Sequence, residues 1–177
     1  MVFKKFDVTK FAGINSSFDI YINDTKQIIY KKVKRKKVKR HSRFNLCKKD
    51  FHEYKNIILD IHNQNFCAIK GFDVEDDGSY KCKYIDGFTL YQIRKYCKKD
   101  INIIKEKSNI INSLENFKSE FFKKKNRSGD WHINNLIYSL EDKKIYNIDL
   151  EGYFTYKSGI NNDRINVWIN IIKKNLL

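Results

Sequence analysis

The chain has 177 residues, 41% of them hydrophobic and 15% aromatic, and its 36 lysines and arginines against 21 acids give a formal net charge of +15. That apolar content can fill a core and excludes global disorder, and the length suits one domain or two small lobes. No apolar run is long enough to cross a bilayer, and the four cysteines form no CxxC pair and share no zinc spacing with the four histidines, so free thiols in a reducing compartment are expected.

In chain order, "MVFKKFDVTK" lacks the apolar centre of a signal peptide, so the expectation is a soluble, cytoplasmic protein, at most peripheral at the inner membrane. "FDVTKFAGINSS" predicts a strand running into a Gly/Asn/Ser turn. "SFDIYIND" and "QIIYKKVK" flank Asp24-Thr25-Lys26 and predict a hairpin. "KKVKRKKVKRHSR" follows, from Lys31 to Arg43, without a single acid. Like charge at that density attracts an anionic partner, so residues 34–43 are expected to meet an anionic acceptor, an anionic membrane or nucleic acid.

From Cys47 to His62 the residues Phe51, Tyr54, Ile58 and Ile61 recur at helical spacing. "FCAIKGFDV" and "YKCKYIDGF" predict two strands joined by the acidic turn "EDDGS". A short helix is expected from Leu90 and a long one from Ile101 to Lys124, with Ile104, Ile111, Leu114, Phe117 and Phe121 on one face. "NLIYS" and "KIYNID" predict a pair of short strands. A last helix carries Ile165, Trp168, Ile172 and Leu176 on one stripe, with Asn162 or Asp163 as its N-cap. The fold class is therefore α+β, a β-rich half with one helix followed by a mostly helical half with a small hairpin.

The stretch "GDWHINN" places Asn135 five residues after Asp130, and "IYNIDLE" ends a hydrophobic strand in Asp149 and Glu151. Carboxylates and an amide are hard oxygen donors of the kind magnesium prefers, and phosphoryl transfer needs little more than such donors, a carboxylate for the attacking hydroxyl and a lysine for phosphate charge. These two motifs resemble the catalytic loop and metal-binding segment of the protein-kinase-like fold, in its small-molecule and sugar-kinase branch of aminoglycoside phosphotransferases, choline kinases and lipopolysaccharide-core kinases. The resemblance covers about residues 10 to 155 in the family's order. It implies ATP and Mg²⁺ as cofactors, Asp130 as the catalytic group and Asn135 and Asp149 as metal ligands.

The same resemblance implies that Lys31, which fits better than Lys32, contacts the α/β-phosphates and pairs with Glu53 on the following helix. "AGINSSF", with Gly13, Ser16 and Ser17, would cover the phosphates, and "YIDGFTL" resembles the hinge, so main-chain groups up to Ile85 would meet adenine. It further implies a minimal, single, bilobal domain, a β-rich N-lobe at 1–86 and a truncated helical C-lobe at 87–177. Ser128 stands where the family usually has histidine, Gly129 where protein kinases have arginine, and Lys83 where the hinge has glutamate. Control by activation-loop phosphorylation is therefore not expected. The function expected is phosphoryl transfer to a hydroxyl of a sugar, lipopolysaccharide core, glycolipid or other small molecule. The alternative is a basic nucleic-acid- or membrane-binding protein on a kinase-derived scaffold without turnover.

Overall fold

The computed structural model describes residues 3–5, 18–25, 27–33, 55–56, 59, 62–63, 67–77, 79–123, 132–148 and 162–177. They form an α+β structure of two compact units, one of residues 1–62 with 69–84, the other of residues 63–68 with 85–177. No helix among the described residues is long and apolar enough to cross a membrane.

The first unit is a five-stranded antiparallel sheet in the order β1-β2-β3-β5-β4, built from β1 (Phe3–Lys5), β2 (Phe18–Asn23), β3 (Ile28–Val33), β4 (Asp73–Val74) and β5 (Tyr80–Lys83). The β2–β3 hairpin forms where the sequence predicts it. Its turn is organised by buried Asn23, whose Oδ1 accepts from the Gln27 N–H at 2.7 Å and the Ile28 N–H at 2.8 Å. A side-chain acceptor thereby satisfies two backbone donors that the turn leaves outside the ladder. The strand expected within "FDVTKFAGINSS" lies outside the described residues, and β1 sits ahead of it.

The second unit joins β6 (Gly87–Thr89), β7 (Leu136–Ser139) and β8 (Ile145–Asn147) into an antiparallel sheet. Four helices accompany it: α1 (Leu90–Tyr96), α2 (Ile101–Lys105), α3 (Lys107–Lys123) and α4 (Asn162–Leu176). Apolar residues spaced three and four apart bury one face of α3 and of α4. Ile110, Leu114, Phe117 and Phe121 meet Ile165, Ile169, Ile172 and Leu176 in one core with Leu90, Ile93 and Ile103. Thr89 starts α1 through a capping box with Gln92, accepting from its N–H at 3.1 Å.

Three expectations need correction. The helix predicted over 101–124 is broken at Glu106, whose backbone (φ −88°, ψ 3°) leaves helical geometry. That break turns Ile104 outward, 44% exposed, and puts Ile103 in the core instead. "YKCKYIDGF" is not one strand but two, β5 and β6, in different sheets. "FCAIKGFDV" is interrupted at Gly71, whose φ of +63° suits glycine. Ahead of it Ala68 bridges Asn147 in parallel and the Lys70 carbonyl accepts from Lys83 of β5, and after it Asp73–Val74 forms the strand that pairs with β5.

Glu106 explains why the helix break is tolerated. Its carboxylate accepts from Tyr138 Oη at 2.6 Å, Lys143 Nζ at 2.7 Å and Asn109 Nδ2 at 3.0 Å. Those bonds, led by the one from Lys143, hold its carboxyl down at about 2. Burial and the same contact push the Tyr138 hydroxyl above its usual range. A carboxyl depressed in the folded state stabilises the protein above its unfolded pKa of about 4.3 and stops doing so as pH falls towards the folded value. We therefore expect Glu106→Gln to lower the melting temperature at pH 7 and the gap from wild type to narrow steadily between pH 4.5 and pH 2. A gap that is constant with pH would show that the charge contributes nothing.

Gly87 sits opposite Ser139, and a Cβ there would lie 1.9 Å from the Tyr138 carbonyl oxygen and 2.9 Å from its carbon. Both are backbone atoms of a buried strand, so neither can move aside cheaply. Gly87→Ala should cost at least ~2 kcal/mol in chemical denaturation; a change within ~0.5 kcal/mol would contradict this strand pairing.

Candidate active site

Strand alternation places Ile29 and Lys31 on one face of the first unit's sheet, with Tyr80 and Cys82 as their partners on β5. Lys31 is 8% exposed while Lys32 is exposed to solvent, so the sheet separates two adjacent lysines by environment. The Lys31 ammonium lies 5.5 Å from the centroid of the Tyr80 ring, within cation–π range. Beside it the Cys82 thiol is pushed up to about 11 by burial, an effect that the Lys31 charge partly offsets. An ammonium taken this far out of water needs compensating partners. The carboxylate that the resemblance assigns to it, Glu53, lies outside the described residues, as do Gly13, Ser16, Ser17 and residues 34–43.

In the second unit, residues 133–135 form a turn leading into β7. The Asn135 N–H donates to the His132 carbonyl at 2.8 Å, and the Asn134 N–H donates to His132 Nδ1 at 3.3 Å. The His132 ring meets Trp168 of α4 edge-on, with centroids 5.6 Å apart. Ile133 points into the core, and its carbonyl accepts from the Tyr91 N–H of α1 at 3.2 Å. The turn is thus held from beneath by an apolar anchor and from the side by two helices.

The β7–β8 ladder then fixes what lies opposite Asn135. Leu136 pairs with Asn147, and the Ile148 N–H donates to the Asn135 carbonyl at 2.8 Å. Residue 148 immediately precedes Asp149 in the sequence. Asp130 and Asp149 themselves lie outside the described residues. Among the described residues no three His, Cys, Asp or Glu side chains converge. Of the implied magnesium ligands only Asn135 is described, and its amide oxygen is chemically suited to that ion.

Ile85 connects β5 to β6. The neighbouring main chain is committed: the Lys83 N–H donates to Lys70 at 2.9 Å, the Tyr84 N–H to Gln27 at 2.7 Å, and the Asp86 carbonyl accepts from Leu140 at 2.9 Å. No main-chain hydrogen bond to another described residue engages Ile85. Tyr80 was not singled out from the sequence as a neighbour of Lys31. The alternation in "YKCK" placed opposite that in "IIYKK" is the signal that could have found it.

No known family profile matches the chain, and no curated protein matches it either.

The contrast between the two lysines is measurable. With limiting amine-reactive reagent, peptide mass spectrometry should find Lys32 modified much faster than Lys31 in the native protein, and the two at similar rates after denaturation. Equal native rates would contradict the burial of Lys31.

Proposed function

We propose that this protein is an ATP- and Mg²⁺-dependent phosphotransferase that acts on a hydroxyl of a sugar, lipopolysaccharide core or other small molecule. One observation carries the reading: the backbone hydrogen bond from Ile148 to Asn135. It ties the asparagine of "GDWHINN" to the residue that precedes the aspartate of "NIDLE" in the sequence, and an amide and a carboxylate are both oxygen donors of the type magnesium requires. The buried Lys31 adds a cation suited to phosphate.

On this reading Asp130 orients the acceptor hydroxyl and takes its proton. The acceptor oxygen forms a bond to the γ-phosphorus as the β–γ bridging bond breaks, and its electron pair leaves on ADP. Asn135 and Asp149 would hold a magnesium ion, which would supply positive charge to offset the charge that develops on the phosphates. Lys31, with Glu53 as its proposed partner, would neutralise the α/β-phosphates, main-chain donors around Gly13, Ser16 and Ser17 would bind them, and the main chain at Ile85 would be open to adenine. The α+β architecture is taken as a minimal protein-kinase-like fold with lobes at 1–86 and 87–177. The charge of +15 favours a second reading, a basic binding protein for nucleic acid or anionic membrane without turnover.

Binding of Mg·ATP to the folded state should raise the melting temperature by linkage, and Asp149→Ala should remove the magnesium-dependent part of that rise. Asp130→Asn should keep nucleotide binding and lose ATP consumption against a panel of sugars, lipid A precursors and aminoglycosides. A wild type that binds no nucleotide with any divalent metal would sink the enzyme reading, and an Asp130→Asn variant with full turnover would refute the role of that residue.

A further inference from the structure

A surface of the second unit combines exposed aliphatic side chains with lysines in a way that core packing does not explain. A depression of about 280 Å³ is lined by Lys98, Ile104, Lys107, Lys174, Asn175 and Leu177 together with buried Cys97 and Leu176. Ile104 is 44% exposed, and Ile101, one turn earlier on the same face of α2, is 59% exposed. None of Lys98, Lys107 and Lys174 joins an ion pair among the described residues.

The two acids nearest in sequence are already committed. Asp100 caps α2, accepting from the Asn102 N–H at 2.9 Å, and Glu106 is held by Tyr138, Lys143 and Asn109. Lys143 offsets the Glu106 charge and leaves the Asp100 carboxylate against Lys98, Lys107 and Lys174, so cations outnumber anions around an aliphatic centre formed by exposed Ile101 and Ile104. Lysine stems can lie along such a centre while their ammonium groups reach outward. A lipid interface matches both halves, with acyl boundary for the isoleucines and phosphate for the lysines.

A nucleic-acid strand matches only one half. Bases stack on aromatic or guanidinium planes, which isoleucine lacks. The two neighbouring tyrosines, Tyr91 and Tyr96, already carry the Lys95 ammonium at 5.7 and 5.1 Å from their ring centroids. We infer that the α1–α2 corner, with the last turn of α4, is a docking surface for a membrane that carries anionic phospholipid. The inference stands whether or not the protein transfers phosphate, and it concerns residues other than the basic run at 34–43.

The test is vesicle flotation with the full chain, using phosphatidylcholine alone or with about 30% phosphatidylglycerol. Three variants are compared: Ile101→Asn with Ile104→Asn, Lys98→Gln with Lys107→Gln and Lys174→Gln, and Lys36→Gln, Lys37→Gln, Lys39→Gln and Arg40→Gln together. Melting temperatures verify folding, which the exposure of these side chains favours. Wild type should bind only the anionic vesicles. The isoleucine variant should bind at least about tenfold more weakly. The lysine variant should bind about a hundredfold more weakly, at about fivefold per lysine, with a flatter salt dependence, while the run variant keeps its sensitivity to both sets of changes. Anionic-vesicle binding that ignores the isoleucine and lysine changes overturns the proposal. So does equal binding to neutral vesicles, or binding of a short single-stranded RNA, lost in the lysine variant but kept in the isoleucine variant, with no vesicle binding.

Discussion

The buried end of β8 is where the second unit is tied together. Asn147 is wholly buried, and its N–H donates to the Cys67 carbonyl at 2.9 Å while the next N–H, from Ile148, donates to Asn135. A backbone donor left unpaired there would cost as much as a lost hydrogen bond, so the segment around Cys67, the strand and the turn are mutually required. Burial pushes the Cys67 thiol up to about 12, which leaves it a packing group and not a nucleophile. The position of Asn135, and through it the case for a metal site, rests on this arrangement of main chain more than on any side-chain contact.

What was legible in the sequence was whatever followed from a single period. The β2–β3 hairpin could be read from alternation around a polar turn, and the same alternation distinguished Lys31 from Lys32, because successive strand residues face opposite ways. The apolar stripe of α4 was legible too, except that it runs through Ile169, 1% exposed, while Trp168 packs beside it against His132. The break at Glu106 was not legible. The apolar spacing continues across it, and the partners that hold the carboxylate, Tyr138 and Lys143, come from more than 30 residues away. Strand β6 was hidden for a similar reason: its three residues, Gly87–Thr89, are defined by pairing with β7 and not by any pattern of their own.

Of the candidate site, Lys31, Ile85 and Asn135 fall among the described residues; Lys31 is set by its sheet and Asn135 by its turn, while Ile85 lies in the link between β5 and β6. The identities of Asp130 and Asp149 came from motif spacing alone, which periodicity cannot supply. The positive charge of the chain also divides by environment. Lys31 is sequestered beside Tyr80, whereas Lys98 and Lys174 are solvent-facing around exposed isoleucine. Buried and exposed cations answer to different physics. The first is retained only with compensating partners, and the second acts at a distance limited by salt.

The central claim, that Asn135 and Asp149 hold a divalent ion on a nucleotide, is tested most directly by paramagnetic broadening. Manganese has the same preference for oxygen ligands as magnesium, and its unpaired electrons broaden nearby nuclear resonances. With ATP present, substoichiometric Mn²⁺ should broaden the side-chain amide of Asn135 and the backbone amide of Ile148 first, and Asp149→Ala should abolish the effect. Broadening that spares Asn135, or that is unchanged in the Asp149 variant, would contradict the account.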